Sequence, residues 1–305
     1  MTRQKSAQYG LRGEVSMYFF KPKTMEEALS IKSENPDATC IQGGTDLMVE
    51  INFDRKRPVA LLDLSSIPQL RDWTVEGNSI RLGSGVTYTR ITQELAQELP
   101  GLALASRTVG SLQIRNRGGV GGNLGSASPA GDAHPALLAT GATVNVRSVR
   151  GSRGIDINDF YLGPKRNALA PDEIIESISI PCAKGGQQYS KIGTRNAMVI
   201  AVASFGIALD HENRRVGSGI GSAGPTPLRA LEAETFAAAE LDWIGYSVIS
   251  DSLAEEFGRL VAAAAKPIDD IRGTAEYRRH TLSVIAKRCL TWSWDSGQNL
   301  QRGIR

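Results

Sequence analysis

Apolar and polar positions alternate in distinct registers along the chain, and the registers mark its parts. Val15 to Phe20 carries aromatic and β-branched residues and reads as a strand. Thr24-Met25-Glu26-Glu27 has the spacing of a capping box, with Thr24 as N-cap and Glu27 at N3. The helix it opens carries Ala28, Leu29 and Ile31 and stops at Pro36. Ala38 to Gln42 reads as a short buried strand, Leu47 to Ile51 as a helix, and Val59 to Leu64 as another strand. The order β-α-β-α-β predicts a small α/β subdomain.

The pattern then changes. Trp73 to Gly83 reads as a hairpin turning at Gly77-Asn78. Thr87 caps a helix expected to reach about Leu99, and a helical piece spans Leu102 to Gly110. A short helix is expected near Pro135 to Ala139, and alternation marks strands at Ala142–Val149 and Ile174–Ile180. Pro181 to Gln187 is polar, carries glycine and lacks a period, as a linker would. Beyond it, three antiparallel strands (Gln188–Arg195, Val199–Leu209, Arg215–Gly221) precede helices at Ala230–Ala239, Val248–Ala265 and Tyr277–Trp292. The expected class is α+β. A domain of two subdomains (13–66 and 67–187) follows a disordered tail (1–12), and a smaller α+β domain (188–305) completes the chain.

Composition narrows the chemistry. The chain has 305 residues and a net charge of +3, which gives no electrostatic reason to bind nucleic acid. No apolar run is long enough for a membrane span, and the polar start is unlike a secretory signal. Three cysteines far apart and three histidines make a metal or iron–sulfur site within this chain improbable and fit a cytoplasmic location.

Two glycine-bearing stretches carry the candidate site. Five glycines fall between Gly118 and Gly125. Such a run argues against a packed helix or central strand and reads as a loop, since glycine loses most entropy on ordering. Backbone without Cβ approaches a ligand closely and aims several N–H groups at one anion. Gly119, Val120, Gly122 and Gly125 belong to this run, Asn123 and Ser126 add polar side chains, and Asp132 adds an acceptor suited to a ribose hydroxyl. The second stretch is Ile41-Gln42-Gly43-Gly44-Thr45-Asp46-Leu47, a strand, a glycine turn and a helix N-terminus that Thr45 or Asp46 can cap. Two such turns suit one long ligand with two phosphates. Gly219-Ile220-Gly221-Ser222-Ala223-Gly224 matches a dinucleotide fingerprint literally, but Pro225 and Pro227 stand where the helix should open, so it reads as a strand-to-helix turn.

The pair Ile41–Leu47 and Arg115–Asp132 resembles the two FAD-binding motifs of the flavoprotein subunit of molybdenum hydroxylases, the xanthine dehydrogenase and carbon monoxide dehydrogenase family with its PCMH-type domain. Tyr18–Pro22, Asp172–Ile175, Ile180-Pro181 and Glu276–Arg279 extend the resemblance over nearly the whole chain. It implies tightly but non-covalently held FAD. It further implies Val109 and Gly110 close to the ligand, Ile174 and Ile175 packed on the flavin, and Lys191 approaching the ring. The molybdenum cofactor and two [2Fe–2S] clusters are expected only in partner subunits, a large and a small one, assembled as a dimer of heterotrimers. The chain would take electrons from the iron–sulfur subunit and pass them to NAD or another acceptor. A free-standing PCMH-type flavin oxidoreductase and a non-redox nucleotide-binding or subunit-interaction module stay open as alternatives. Relatives often carry threonine where this chain has Gly119, which leaves the contact at that point open.

Overall fold

Thr24 Oγ1 accepts a hydrogen bond from the Glu27 N–H at 3.2 Å, and Glu27 Oε2 in turn accepts from the N–H of Lys23 at 2.9 Å, one residue earlier than the ideal box. The cap opens the first helix of a computed structural model that describes residues 17–301. The N-terminal tail and Val15 lie outside the described residues. The first unit runs β1 (Tyr18–Phe20), α1 (Met25–Glu34), β2 (Thr39–Ile41), α2 (Leu47–Asn52) and β3 (Ala60–Asp63). Its sheet is parallel, in the order β1-β3-β2, over a core that includes Met25, Leu29, Leu62 and Leu70.

The second unit holds β4 (Trp73–Glu76), β5 (Ser79–Gly83), α3 (Tyr88–Glu94), α4 (Pro100–Arg107), α5 (Leu112–Arg115), α6 (Val120–Ser126), α7 (Ala133–Thr140), β6 (Thr143–Ser148), β7 (Gly151–Asp156), α8 (Ile157–Phe160), β8 (Tyr161–Gly163), β9 (Arg166–Asn167) and β10 (Ile174–Pro181). The main sheet is antiparallel, ordered β4-β5-β10-β6-β7. Alternate residues face inward, so Val144, Val146, Ile178 and Ile180 are buried. Gly77, with φ +59, makes the hairpin turn between β4 and β5. α3 ends at Glu94, earlier than the expected Leu99, and Pro100 opens α4. β7 has no counterpart in the hydrophobic pattern, because this polar edge strand buries only Ile155.

The third unit comprises β11 (Gln187–Ile192), β12 (Ala203–Asp210) and β13 (Arg215–Gly221), an antiparallel sheet in sequence order, then α9 (Leu231–Glu240), α10 (Asp251–Ala264) and α11 (Ala275–Gln301). α11 packs on one face of this sheet and α7 on the other. A Cβ on Gly206, Gly217, Gly219 or Gly221 would run into the Pro135–Ala139 segment or the Ser204 side chain. Gly219 and Gly221 of the literal fingerprint therefore serve close helix–sheet packing. Gly219 and Gly221 lie within β13, and the turn itself begins at Ser222, whose φ is +60.

Candidate functional site

β2 delivers Ile41 and Gln42 to the rim of a cavity, and the chain then turns at Gly43 and Gly44. A Cβ at Gly43 would collide with the Arg117 carbonyl, so the first glycine turn lies directly against the second glycine stretch. Gly44 has φ +73, a conformation that favours glycine. Neither Thr45 nor Asp46 caps α2 with its side chain, contrary to expectation. Among the described residues, no acceptor takes the N–H groups of Gly43, Gly44, Thr45 and Asp46. α2 has six residues, so its dipole is small and these open N–H groups carry the attraction for an anion.

The stretch from Gly118 to Gly125 is not the loop that its composition suggests. Residues 120–126 form the short helix α6, closed by Ala127 in the left-handed region at φ +45. The reason is packing. A Cβ at Gly119 would strike the Val86 carbonyl, and one at Gly121 would strike Ser84, whose carbonyl accepts from the Gly121 N–H at 3.2 Å. Close approach to the β5–α3 connection outweighs the poor helix propensity of glycine, roughly 1 kcal/mol per residue. Gly122 and Gly125 differ: a Cβ there would meet nothing within 4 Å. Both line the cavity. Gly119 also clarifies the departure from threonine, since a larger residue requires the Val86 segment to move.

The cavity has a volume of about 960 Å³ and lies between the first and second units, with Met198 to Ile200 of the third at its edge. It brings together Ile41 to Leu47, Val109, Gly110, Gly119, Gly122, Asn123, Gly125, Ser126, Asp132, Ile174 and Ile175. Val120 is not on its wall; the side chain is fully buried in the core of the second unit. Lys191 does not line it either. Its ammonium donates to Asp132 Oδ2 at 2.8 Å, Thr108 O at 2.9 Å and Val199 O at 3.2 Å. Asp132 is correspondingly engaged: its Oδ1 accepts from the Tyr189 hydroxyl at 3.0 Å. The expected free ribose acceptor is thus half of a buried ion pair, with the two side chains 9% and 11% exposed. Burial pushes the Asp132 carboxyl up, and the Lys191 charge and the Tyr189 hydroxyl oppose that.

Asn123 and Ser126 also have partners: Asn123 Oδ1 accepts from the Ala133 N–H at 3.3 Å, and Ser126 Oγ donates to Asn123 O at 3.1 Å. Behind them, the Tyr161 hydroxyl and His134 Nδ1 meet at 2.8 Å, a local bonding role for this histidine. Two cavity-lining hydroxyls escape any sequence signal. Ser84 Oγ and Tyr88 Oη are buried and have no partner among the described residues. Nothing in the pattern marks them, because Ser84 follows a strand and Tyr88 begins a helix whose apolar face it shares with Ile91. Three arginines near the cavity-forming elements are ion-paired: Arg147 with Glu176, Arg150 with Asp172 and Arg153 with Glu173.

The chain matches the family model for the FAD binding domain in molybdopterin dehydrogenase over residues 13–183, and that for the CO dehydrogenase flavoprotein C-terminal domain over 188–293. It belongs to this flavoprotein family. The medium subunit of nicotine 6-hydroxylase from Paenarthrobacter nicotinovorans is 31% identical over 277 residues, covering 89% of this chain and 95% of that protein. The FAD subunit of nicotinate dehydrogenase from Eubacterium barkeri is 38% identical over 200 residues, 63% of this chain and 68% of that one. Among solved structures, reconstituted CO dehydrogenase from Oligotropha carboxidovorans contains a chain that superposes with a TM-score of 0.84 at 25% identity, covering 91% of this chain and 97% of that one. The chain is accordingly an FAD-binding medium subunit of the molybdenum hydroxylase type, an oxidoreductase component.

The residues present fit FAD. Open N–H groups at the first turn suit its pyrophosphate, the bare backbone of Gly122 and Gly125 admits it closely, and Ile174 and Ile175 offer an apolar surface for a ring. Cys40 also lines the cavity, and burial pushes its thiol up, so it stays a neutral wall residue.

Proposed function

We propose that this chain is the electron-transfer subunit of a heterotrimeric hydroxylase. It takes electrons from a [2Fe–2S] small subunit, which draws them from a molybdenum-cofactor large subunit, and hands them to NAD or another acceptor. Bound FAD supplies the capacity to accept electrons singly and release them in pairs. The chain's residues supply the rest. Gly43 to Asp46 hold the anion, Gly122 and Gly125 allow close approach, and the Lys191–Asp132 pair holds a positive and a negative charge fixed behind the cavity wall. The observation that carries the reading is the contact of Gly43 with Arg117, which joins two distant glycine stretches into one wall of one cavity.

The same reading divides the chain at 187, with the FAD-binding domain before it and the C-terminal domain after it, and assigns it to the cytoplasm in a dimer of heterotrimers. The family-model limits at 183 and 188 support the division. The free-standing oxidoreductase is disfavoured by the small third unit, a three-stranded sheet with three helices.

Purification of the native complex followed by mass spectrometry and rapid-mixing absorption spectroscopy tests the proposal. Expected are three subunits, with iron–sulfur absorption bleaching before the flavin. Extraction of FAD should then abolish reduction of the final acceptor and spare reduction of a dye by the iron–sulfur subunit. Turnover by this chain alone, with no co-purifying subunits, would overturn it.

A further inference from the structure

Every N–H and O–H group in a folded interior gains from a partner, and a buried hydroxyl left without one costs stability. Two such groups flank the same glycine segment. Tyr88 is 3% exposed and Ser84 is 3% exposed, and neither hydroxyl has an acceptor or a donor among the described residues. Both residues line the cavity. Their backbones are already engaged in building it: Tyr88 N–H donates to Gly118 O at 3.0 Å, and Ser84 O accepts from Gly121 N–H. The Tyr88 ring lies under Gly118, with Cε2 3.6 Å from where a Cβ on that glycine would stand. A side chain fixed this firmly with a dangling hydroxyl is placed for an acceptor that the chain itself does not provide.

We propose that Tyr88 Oη, assisted by Ser84 Oγ, donates a hydrogen bond to an acceptor oxygen of the bound cofactor, a phosphate or a hydroxyl oxygen, beside the Gly118–Gly121 segment. The inference rests on the FAD reading and adds two binding residues to it. The electrostatic setting agrees. Burial and the nearby Asp132 carboxylate hold the Tyr88 phenol far above its ordinary range, so it stays protonated and keeps a proton to donate to an acceptor oxygen.

The sign of two effects separates this role from a structural one. Tyr88→Phe removes a hydroxyl that lacks a partner in the cofactor-free protein, so that form should unfold at the same temperature as the wild type or a higher one. The same substitution should weaken FAD binding roughly three- to tenfold, the worth of one hydrogen bond. Ser84→Ala should move both quantities in the same directions and gives a second reading. The measurements are thermal unfolding of the full-length apoprotein and fluorescence titration with FAD. Repeating the titration with FMN and with ADP shows which half carries the oxygen, since the loss follows that half. An FAD affinity unchanged in both variants, or a lowered unfolding temperature of both apoproteins with unchanged affinity, overturns the inference and leaves the FAD reading standing. A folded wild-type protein that takes up no FAD overturns both.

Discussion

The cavity has an inner wall that lines it and an outer wall of side chains behind that one, built on different principles. One is backbone: Gly43, Gly44, Gly119, Gly122 and Gly125 present N–H groups or bare Cα atoms, and what matters is where side chains are missing. The other is made of buried side chains: Lys191, Asp132 and Tyr189 join β11 to the start of α7 through hydrogen bonds of 2.8 and 3.0 Å, with His134 and Tyr161 behind them. The first wall fails when an atom is added, and the second fails when a charge is left alone. That difference predicts how each responds to mutation and to pH.

The side-chain wall should break hardest. Lys191→Met leaves the Asp132 carboxylate buried beside a methyl group and should cost about 3–5 kcal/mol, read by urea unfolding at pH 7. The double variant Lys191→Met with Asp132→Asn should recover part of that loss; a single variant as stable as the wild type would show that the pair holds nothing. On the backbone wall, Gly43→Ala pushes a Cβ into the Arg117 carbonyl and should cost about 1–3 kcal/mol by the same assay, with FAD uptake reduced alongside.

The pH response should also fall on the second wall. Burial pushes the His134 imidazole down to about 3, so it is neutral in the folded protein over most of the acid range. The unfolded chain takes up a proton near pH 6.5, so stability is fully present above that value and is lost as pH falls toward 3. By pH 4.5 this residue alone should cost about 3 kcal/mol. His134→Asn should flatten the acid limb of an apoprotein stability curve by that amount, whereas a glycine variant should leave the slope as it was.

Gly122→Val sharpens the contrast with Gly43→Ala. Its side chain would enter open cavity space, so the apoprotein should unfold within about 1 kcal/mol of the wild type while FAD affinity drops roughly tenfold, a loss of about 1.4 kcal/mol in binding. Equal effects of the two substitutions on folding would erase the distinction between packed and ligand-facing glycines.

The two walls also differ in how far they can be read from residues. The backbone wall was legible, since glycine clusters after a strand have few uses, and the α+β architecture followed from the capping box, the Gly77-Asn78 hairpin and the alternating strands. Composition misled at α6, where contacts with Val86 and Ser84 override glycine's poor propensity. Val120 stands among cavity-lining neighbours in the chain, and helical geometry turns its side chain into the core. The Lys191–Asp132 pair spans 59 residues, and no local pattern reports such a contact. Ser84 and Tyr88 were invisible for the same reason: a hydroxyl's lack of a partner exists only in three dimensions.

In the proposed reading, two glycine stretches form one grip for FAD. The visible absorption spectrum of the purified chain, with acid release and chromatography of whatever comes free, tests it most directly. A flavin spectrum is expected, with FAD released without proteolysis at about one per chain, the stoichiometry of a single cavity. A folded, colourless protein that also refuses added FAD would contradict it.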